Sequence, residues 1–398
     1  MSGPLNGVKI IDLTSVILGP YATQILADYG ADVIKIEPPE GDNTRYINAM
    51  RNHGMGANFL HLNRNKRSVV LNLKKPEGHA ALLRLLKTAD VLAYNVRPAA
   101  MARLKLGYED VAAVNPRIIY AGATGFKQSG PYAAKAAYDD IIQGMVALPW
   151  MQQQAGADRP RFVPSTLSDR ITGLNTVHAI LAALFHRERT GEGQAVEIPM
   201  FEGLTQFILS DHMGGRTFDP PIAPMGYPRL LTPHRNPYKT SDGYLCLLIY
   251  NDKQWRAFFK LLGREDEFAG DARFNSHSNR AQHFDEIYAW VASEIVKRTT
   301  TEWHTVLTEA DIPAMPLHTL DSLLDDPHHA ATGFFKMSEH PSEGHILEMD
   351  IPTTWSKSQP ELRLHAPRLG EHSAQVLREA GYSDEEISAL SAAGVTNT

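Results

Sequence analysis

One aspartate stands where a carboxylate could act as a nucleophile. Asp169 ends the polar run 164–169, PSTLSD, and an apolar helical pattern follows it. The simplest role for an aspartate at this place is to cap the helix, because its oxygens accept hydrogen bonds from free N–H groups. A carboxylate with an ordinary pKa near ~4 is also ionised at neutral pH, so it can attack an acyl carbon without a general base. The local pattern leaves both roles open.

Familiar catalytic motifs are missing from the sequence. No G-x-G-x-x-G follows the first predicted strand, where residues 13–20 read LTSVILGP, so a dinucleotide site has no fingerprint. There is no Walker A motif, no H-E-x-x-H, no G-x-S-x-G and no cysteine and histidine cluster with metal-ligand spacing. We therefore predict chemistry that uses neither a metal nor a redox cofactor.

The composition favours a globular protein of two domains, since 398 residues with 43% hydrophobic content exceed one small core. A net charge of −6 with both signs mixed argues against a nucleic-acid partner, although the segment Arg64 to Lys75 is locally basic and is interpreted as a phosphate site. The chain shows no signal-peptide pattern and no apolar run near the ~18 residues of a membrane span. The single cysteine, Cys246, cannot form an intramolecular disulfide, so we expect a cytoplasmic protein without a membrane partner.

Short β-branched runs alternate with helical patterns over the first two hundred residues, which is typical of a parallel sheet covered by helices. The predicted strands are Val8 to Asp12, Asp32 to Glu37, Ser68 to Leu73, Asp90 to Val96, Arg117 to Ala121 and Ala195 to Ile198. Helices are predicted at Pro76 to Thr88 and Asp169 to Arg189. The fold class we expect is α/β, with a large doubly wound and mostly parallel sheet domain and a smaller α+β domain.

The pattern changes after residue 213, where 24 residues contain six prolines and no apolar period, as expected of a linker. A hairpin signal and two helical patterns then predict the smaller domain. The last part of the chain could stand alone or rejoin the first domain. The predicted division is 1–213 for the large domain, 214–237 for a linker, 238–327 for the small domain, 328–360 for a second linker and 361–398 for the C-terminal part.

Several sequence blocks together resemble one known family. They are Gly19-Pro20, GADVIKIE at 30–37, NKRS at 65–68, Tyr138, ILAAL at 180–184, RERTGEGQAV at 187–196 and PRLGEH at 367–372. This set resembles the class III CoA transferases, which include formyl-CoA transferase and the carnitine CoA-transferase-like CaiB/BaiF proteins. The resemblance implies that the C-terminal part rejoins a large CoA-binding domain. It also implies that two chains thread through each other as an interlocked homodimer.

The resemblance implies a mechanism for Asp169. The carboxylate attacks the thioester carbonyl of a donor acyl-CoA, which gives an acyl-aspartyl anhydride and a CoA thiolate. The thiolate then forms an aspartyl-CoA thioester, and an acceptor carboxylic acid takes the CoA through a second anhydride. Coenzyme A is thus a substrate, and the resemblance implies no metal and no redox cofactor.

The resemblance also implies groups around the aspartate. Backbone N–H groups of a turn or a glycine loop are the expected donors to each oxyanion, and the candidates are Val16, Ile17, Leu18, Gly214 and Gly215. Tyr138 is a candidate substrate contact and stands where racemases of the same family carry a histidine that pairs with the aspartate. A tyrosine hydroxyl is a poor proton acceptor at neutral pH, so a transferase is favoured over an acyl-CoA racemase. A non-catalytic CoA-binding protein is the third hypothesis.

Basic residues near strand ends are expected to hold the phosphates of CoA. The candidates for CoA contact are Lys74, Asn95, Arg97 and Arg103, of which Lys74 and Arg103 match positions of CoA contact in the family. The alternative for any single lysine, and for Lys75 in particular, is a solvated surface position.

Three arginines in the proline-rich segment bear on the choice of substrate. A guanidinium of Arg216, Arg229 or Arg235 could bind a distal carboxylate through two hydrogen bonds. This favours succinyl-CoA or a related dicarboxylic thioester as the donor and a small carboxylic acid as the acceptor. Ordinary loop arginines are the alternative.

Overall fold

Strands and helices alternate in the computed structural model, which describes residues 3–397. Within those residues the strands are β1 (Lys9–Leu13), β2 (Asp32–Glu37), β3 (Lys66–Val70), β4 (Val91–Tyr94), β5 (Ile119–Thr124), β6 (Gln194–Pro199), β7 (Tyr238–Lys239), β8 (Tyr244–Leu247), β9 (Ala314–Pro316), β10 (Phe335–His340) and β11 (Gly344–Met349). All six strands predicted for the first domain are confirmed, with ends that differ by a few residues.

The helices of the described residues connect these strands and cover the sheets. The first nine are α1 (Leu18–Asp28), α2 (Ala57–Leu62), α3 (Pro76–Leu86), α4 (Pro98–Arg103), α5 (Tyr108–Val114), α6 (Asp139–Met145), α7 (Leu148–Gln154), α8 (Leu167–Thr190) and α9 (Met200–His212). The others are α10 (Pro228–Leu231), α11 (Asp252–Leu261), α12 (Glu265–Gly270), α13 (His277–Gln282), α14 (Phe284–Ile295), α15 (Thr300–Glu309), α16 (Leu320–Leu324), α17 (Pro327–Thr332), α18 (Ser373–Glu379) and α19 (Asp384–Ala392). Two 3-10 helices span Asn43–Tyr46 and Gly214–Thr217.

Six parallel strands form the large sheet in the order β3-β2-β1-β4-β5-β6. The chain moves outward from β1 to β3 and then returns to β4 on the other side of β1. In doubly wound sheets the loops at the carboxyl ends diverge at such a reversal and leave a crevice in which ligands bind. The predicted α/β fold class is confirmed, and the order places this crevice between β1 and β4.

Side chains of β1 show why both faces of the sheet are covered. Ile10 belongs to the core on one face and Ile11 to the core on the other, because successive strand residues point to opposite sides. Leu26 of α1 packs in the first core and Leu82 of α3 in the second. Strands that are apolar on both faces are expected of a parallel sheet buried between helices.

The first compact unit comprises residues 3–146, 164–206 and 328–397. Leu377 of α18 and Leu390 of α19 lie in the same core as Leu82, so the C-terminal helices pack on the sheet formed by the N-terminal part. Residues 328–360, expected to be a linker, instead contain α17 and the antiparallel hairpin β10–β11. Gly344 has a φ of 64°, which supports the tight turn of this hairpin.

The second compact unit comprises residues 147–163 and 207–327. Its antiparallel sheet has the order β7-β8-β9, and aromatic side chains such as Trp255, Phe258 and Trp303 form its core. The predicted hairpin is confirmed by β7 and β8, and the two predicted helices correspond to α11 and to α13 with α14. The segment expected to be the first linker contains the second 3-10 helix and α10.

Candidate functional site

Asp169 is the third residue of α8, and its side chain is half-buried. The N-cap position is occupied by Thr166, whose side chain makes no capping hydrogen bond. The backbone N–H of Asp169 instead donates to Oδ1 of Asp139 at 3.0 Å. A carboxylate from α6 therefore caps α8, which leaves the carboxylate of Asp169 available for another role.

Burial is the main cause of an unusual acidity at Asp169. The pKa of this carboxyl is raised from 3.8 to about 7; desolvation is the largest cause, the negative charge of Asp139 adds to it, and the positive charge of Arg170 opposes both. At neutral pH part of the carboxyl population is therefore protonated, whereas its ordinary pKa predicts full ionisation. A carboxylate with fewer bound waters has fewer hydrogen bonds to lose when it attacks an acyl carbon.

Asp139 and Gln143 connect the starts of α6 and α8, and sequence reasoning did not find them. Oδ2 of Asp139 accepts a hydrogen bond from Nε2 of Gln143 at 2.7 Å, and both residues are buried. The hydroxyl of Ser168 donates to the carbonyl oxygen of Asp139 at 3.2 Å. The sequence offered one signal, which is that Gln143 follows Asp139 by four positions and so lies on the same face of the helix. This spacing does not reveal that Asp139 also contacts Asp169, thirty residues away.

Gly173 brings α8 against the start of α1. A Cβ atom at this position would lie 2.9 Å from Cδ1 of Tyr21 and 3.0 Å from the carbonyl oxygen of Leu18. The guanidinium of Arg170 lies 4.5 Å from the centre of the Tyr21 ring. Asp169 is one turn earlier than Gly173 on the same face of α8. The structure thus packs the first turns of α8, which carry Asp169, against the start of α1.

The turn between β1 and α1 is held in a strained conformation. Val16 has a φ of 69°, which is rare for a β-branched residue and is a feature that clusters at functional sites. Its N–H donates to Oδ1 of Asp42 at 3.3 Å, so this donor is not available to an oxyanion. Leu18 begins α1 and Ile17 precedes it, and N–H groups at a helix start have no acceptor within the helix.

Asn95 fixes the same turn from the other side of the crevice. Its Oδ1 accepts from the backbone N–H of Ser15 at 3.0 Å, and its Nδ2 donates to the carbonyl oxygen of Ser15 at 2.8 Å. Ser15 follows β1 and Asn95 follows β4, so these two hydrogen bonds span the crevice at which the strand order reverses. Both the oxygen and the nitrogen of the Asn95 amide are used in this contact, which positions the turn.

Most cations of the basic segment Arg64 to Lys75 are used inside the protein, so this segment is not the phosphate-binding surface expected from the sequence. The contacts are Arg64 with Asp28 at 2.9 Å, Lys66 with Asp12 at 3.3 Å, Arg67 with Asp32 at 2.6 Å, and the Nζ of Lys75 with the carbonyl oxygen of Ala393. Buried cations require such partners because isolated charges are costly to remove from water. Lys74 is the exposed cation of the segment.

A cavity of about 410 Å³ opens at the carboxyl ends of β1 to β4, a size within the range of small-molecule sites. Its walls come from the last residues of β1 and β2 and from the segments after the four strands: 13–15, 35–43, 71–74 and Val96, with Leu104. Lys74 lines this cavity. Val96 and Leu104 also line the cavity. Arg97 and Arg103 are their neighbours in sequence, and both arginine side chains are exposed. Three of the four predicted CoA contacts are therefore at or beside one cavity.

Tyr138 and the glycine pair Gly214-Gly215 complete the predicted site residues. Tyr138 precedes α6, and 69% of its side chain is exposed. Gly214 and Gly215 begin the second 3-10 helix, within the second compact unit. The N–H of Gly215 donates to the carbonyl oxygen of Pro224 at 3.2 Å, and a Cβ here would lie 2.2 Å from the nitrogen of Ala223. A tight loop therefore requires this glycine and uses its N–H, which removes it as an oxyanion donor.

Comparison with known proteins agrees with these observations. The chain matches CoA-transferase family III over residues 5–373, which includes the sheet, α8 and the whole second compact unit. The chain belongs to CoA-transferase family III. The resemblance noted in the sequence and the expected enzyme class are thereby confirmed, and this family III chain is a CoA-transferase.

The relatives of this family III chain match it over nearly its whole length. It is 36% identical over 394 residues to the succinate–glutarate CoA-transferase of Agrobacterium fabrum, an alignment that covers 94% of this chain and 95% of the relative. It is 34% identical over 389 residues to the acetyl-CoA:oxalate CoA-transferase of Acetobacter aceti, with coverage of 95% and 96%. A crystal structure of a CAIB/BAIF family protein from Brucella suis has a TM-score of 0.79 at 31% identity and covers 96% of this chain and 100% of that one.

Metal sites and membrane-spanning helices are two other features that the sequence did not predict. Among residues 3–397, no three histidine, cysteine, aspartate or glutamate side chains are arranged to hold a metal ion. No helix in the same part of the chain combines the length and the apolar character needed to cross a bilayer.

Proposed function

We propose that this family III CoA-transferase moves CoA from a donor acyl-CoA to an acceptor carboxylic acid through covalent intermediates on Asp169. The proposal is supported chiefly by two properties of this carboxylate: it is not needed to cap α8, and its pKa is raised. Asp139 takes over the capping of α8, and burial raises the pKa of Asp169 to about 7. A nucleophile in a site of low water content is what this reaction requires, since both covalent intermediates are open to hydrolysis.

The steps balance without a metal, a reductant or a net proton. The ionised Asp169 attacks the thioester carbonyl, the C–S bond breaks, and an anhydride and a CoA thiolate form. The thiolate attacks the aspartyl carbonyl of the anhydride, the donor acid leaves, and Asp169 holds CoA as a thioester. The acceptor carboxylate attacks this thioester and releases the thiolate, which then attacks the acceptor carbonyl to give the new acyl-CoA and free Asp169.

The cavity at the strand ends is the place we propose for the nucleotide of CoA. Lys74, Arg97 and Arg103 would pair with its phosphates, and among residues 3–397 none of the three forms an ion pair. Ser15 lines the cavity, and Leu18 touches α8 at Gly173, so the turn between β1 and α1 leads from the cavity to Asp169. The N–H groups of Ile17 and Leu18 at the start of α1 would stabilise the oxyanions.

A dicarboxylic acyl group, with succinyl-CoA as the donor, is the substrate class we propose. The relative from Agrobacterium fabrum is a succinate–glutarate CoA-transferase, and the relative from Acetobacter aceti acts on oxalate, so both names contain a dicarboxylic acid. Tyr138 occupies the position of the racemase histidine, which supports transfer over racemisation. Cys246 is exposed and unpaired, which suits a reducing cytoplasm.

We also propose that the chain is a homodimer. Leu174 and Phe185 lie eleven positions apart on one face of α8, and 41% and 64% of their side chains are exposed. Met337 and Leu347 form a cross-strand pair of the β10–β11 hairpin and are 66% and 40% exposed. We propose that these exposed apolar side chains are covered by a second copy of the chain. Light scattering over a dilution series should give the mass of a dimer, and an active folded monomer would contradict the proposal.

Covalent capture tests the role of Asp169. The protein is incubated with succinyl-CoA, treated with hydroxylamine and digested with trypsin. Residues 162–170, FVPSTLSDR, form a tryptic peptide whose only acid is Asp169, so a hydroxamate on this peptide reports acylation at one atom. We expect the hydroxamate in the native protein and in Asp140→Asn, whose exposed carboxylate is a matched control. We expect none in Asp169→Ala.

Transfer activity supplies the decisive outcomes. Asp169→Ala should lose exchange of labelled CoA between succinyl-CoA and a free acid while it retains CoA binding. An Asp169→Ala variant that still exchanges the label would contradict the proposed mechanism. Deuterium entry at the α-carbon without an acceptor would identify a racemase instead.

A further inference from the structure

The second compact unit contains a cavity of its own, of about 190 Å³. Its walls are residues 227–229 before and within α10, residues 248–250 after β8, and side chains of α11, α13 and α14. A single buried water needs only ~10–15 Å³, so the cavity has room for a molecule of several heavy atoms. Tyr250 and His277 line both this cavity and a shallow groove outside it, which marks the mouth through which a ligand would enter.

The lining combines an apolar wall with cations and lacks any acid. Trp255 and Ile287 are buried core residues that form part of the wall, together with Phe284. The charged side chains among the lining residues are arginines, Arg229 and Arg280. A cavity with this composition favours an anion that carries an apolar chain.

The two arginines differ in how their charge is balanced. Arg280 is buried, forms an ion pair with Asp252 and donates to the carbonyl oxygen of Phe274 at 2.6 Å, so its guanidinium is already used. Arg229 is half-buried, and among residues 3–397 no carboxylate lies within ion-pair distance of it. Its Nε donates to the hydroxyl of Tyr288 at 3.0 Å, which fixes the plane of the guanidinium. A partly desolvated cation without a counter-ion, held in one orientation, is suited to bind a carboxylate.

We infer that this cavity is a binding site for a short-chain carboxylate, whose charge pairs with Arg229 and whose alkyl chain lies against Trp255 and Ile287. Of the three arginines in the proline-rich segment, the structure selects this one, because Arg216 and Arg235 are exposed on the surface of their unit. The inference goes beyond the proposed CoA transfer and does not depend on it, since every residue of the site lies in the second compact unit.

A structural role for Arg229 must be separated from a binding role, because its bond to Tyr288 also ties α10 to α14. Tyr288→Phe removes this tie but keeps the guanidinium. Arg229→Gln removes both. If Arg229 only ties the helices, the two variants should lose stability equally and should bind carboxylates as the native protein does.

Calorimetric titration of the full-length chain with valerate tests the inference. The background is Asp169→Asn without CoA, in which no acyl transfer on residue 169 can occur. We expect valerate to bind and pentanol, its neutral counterpart, to bind at least tenfold more weakly. Arg229→Gln should weaken valerate binding roughly 10- to 100-fold, the range for lost hydrogen bonds to a charged group. Arg235→Gln, which removes an exposed arginine of the same segment, is the control and should bind valerate normally.

Each remaining outcome counts against the site. Equal binding of pentanol and valerate, no heat with valerate at millimolar concentration, or normal binding by folded Arg229→Gln would overturn it, as would an equal loss in Arg235→Gln. If Arg229→Gln fails to fold, Arg229→Lys serves in its place, because lysine keeps the charge but cannot form the two-pronged contact. Failure of this site would leave the labelling of Asp169 unaffected, and failure of that labelling would leave valerate binding unaffected.

Discussion

Replacing Asp169 with asparagine should stabilise the folded chain, and more so at pH 8 than at pH 5. Asparagine has nearly the same shape as aspartate and cannot ionise. The pKa of the Asp169 carboxyl is raised from 3.8 to about 7 in the folded chain, so between these values the folded state holds a proton that the unfolded state has lost. Stability therefore falls as the pH rises from about 4 to about 7, and the full cost of the buried charge is present above that window.

The size of the effect follows from the shift. About three pKa units at about 1.36 kcal/mol each correspond to an upper limit of ~4 kcal/mol at pH 8, of which more than a third is already present at pH 5. The cost thus grows by at most ~2.5 kcal/mol between the two pH values. Asp169 keeps part of its contact with water, which screens its charge, so we expect ~1 kcal/mol, or ~1–2 °C in melting temperature for a chain of this length.

Differential scanning calorimetry at equal protein concentration checks this expectation. The native protein, Asp169→Asn and the exposed control Asp140→Asn are each scanned at pH 5 and pH 8. We expect the gain of Asp169→Asn over the native protein to be larger at pH 8, whereas the control shows no such difference. A gain that is the same at both pH values, or larger at pH 5, would refute the claim that burial raises the pKa of this carboxyl.

Two further predictions concern helix packing and CoA binding. Gly173→Ala should lower stability by about 1–3 kcal/mol in thermal unfolding, because its Cβ would meet Leu18 and Tyr21 of α1. Gly144→Ala, in a helix with open space around it, should raise stability by about 0.5–1 kcal/mol; equal effects of the two changes would contradict the packing argument. Lys74→Ala should weaken CoA binding about 3- to 10-fold in calorimetric titration. Lys87→Ala, an exposed lysine at the other end of α3, should not, and an equal loss in both would remove the cavity as the phosphate site.

Local patterns along the chain determined much of the fold. The strands of the large sheet could be predicted because short runs rich in β-branched residues alternate with longer helical patterns, and the two differ in length. The start of α8 at a polar run and its end at Gly191, with a φ of 81°, follow the same local logic. The family motifs then placed Asp169 at that helix start. These properties depend on residues that are close in sequence.

The burial, the charge partners and the pKa of individual side chains were decided by the tertiary structure alone. Asp139 caps α8 from thirty residues away, and this contact both frees the Asp169 carboxylate and contributes to its raised pKa. The basic segment around Lys66 appeared to be a phosphate site, but Arg64, Lys66 and Arg67 form ion pairs with aspartates from distant strands and helices. Arg229 could not be separated from the other loop arginines until its cavity was seen. Burial and charge pairing join residues far apart in the chain, so no local pattern of residue types can reveal them.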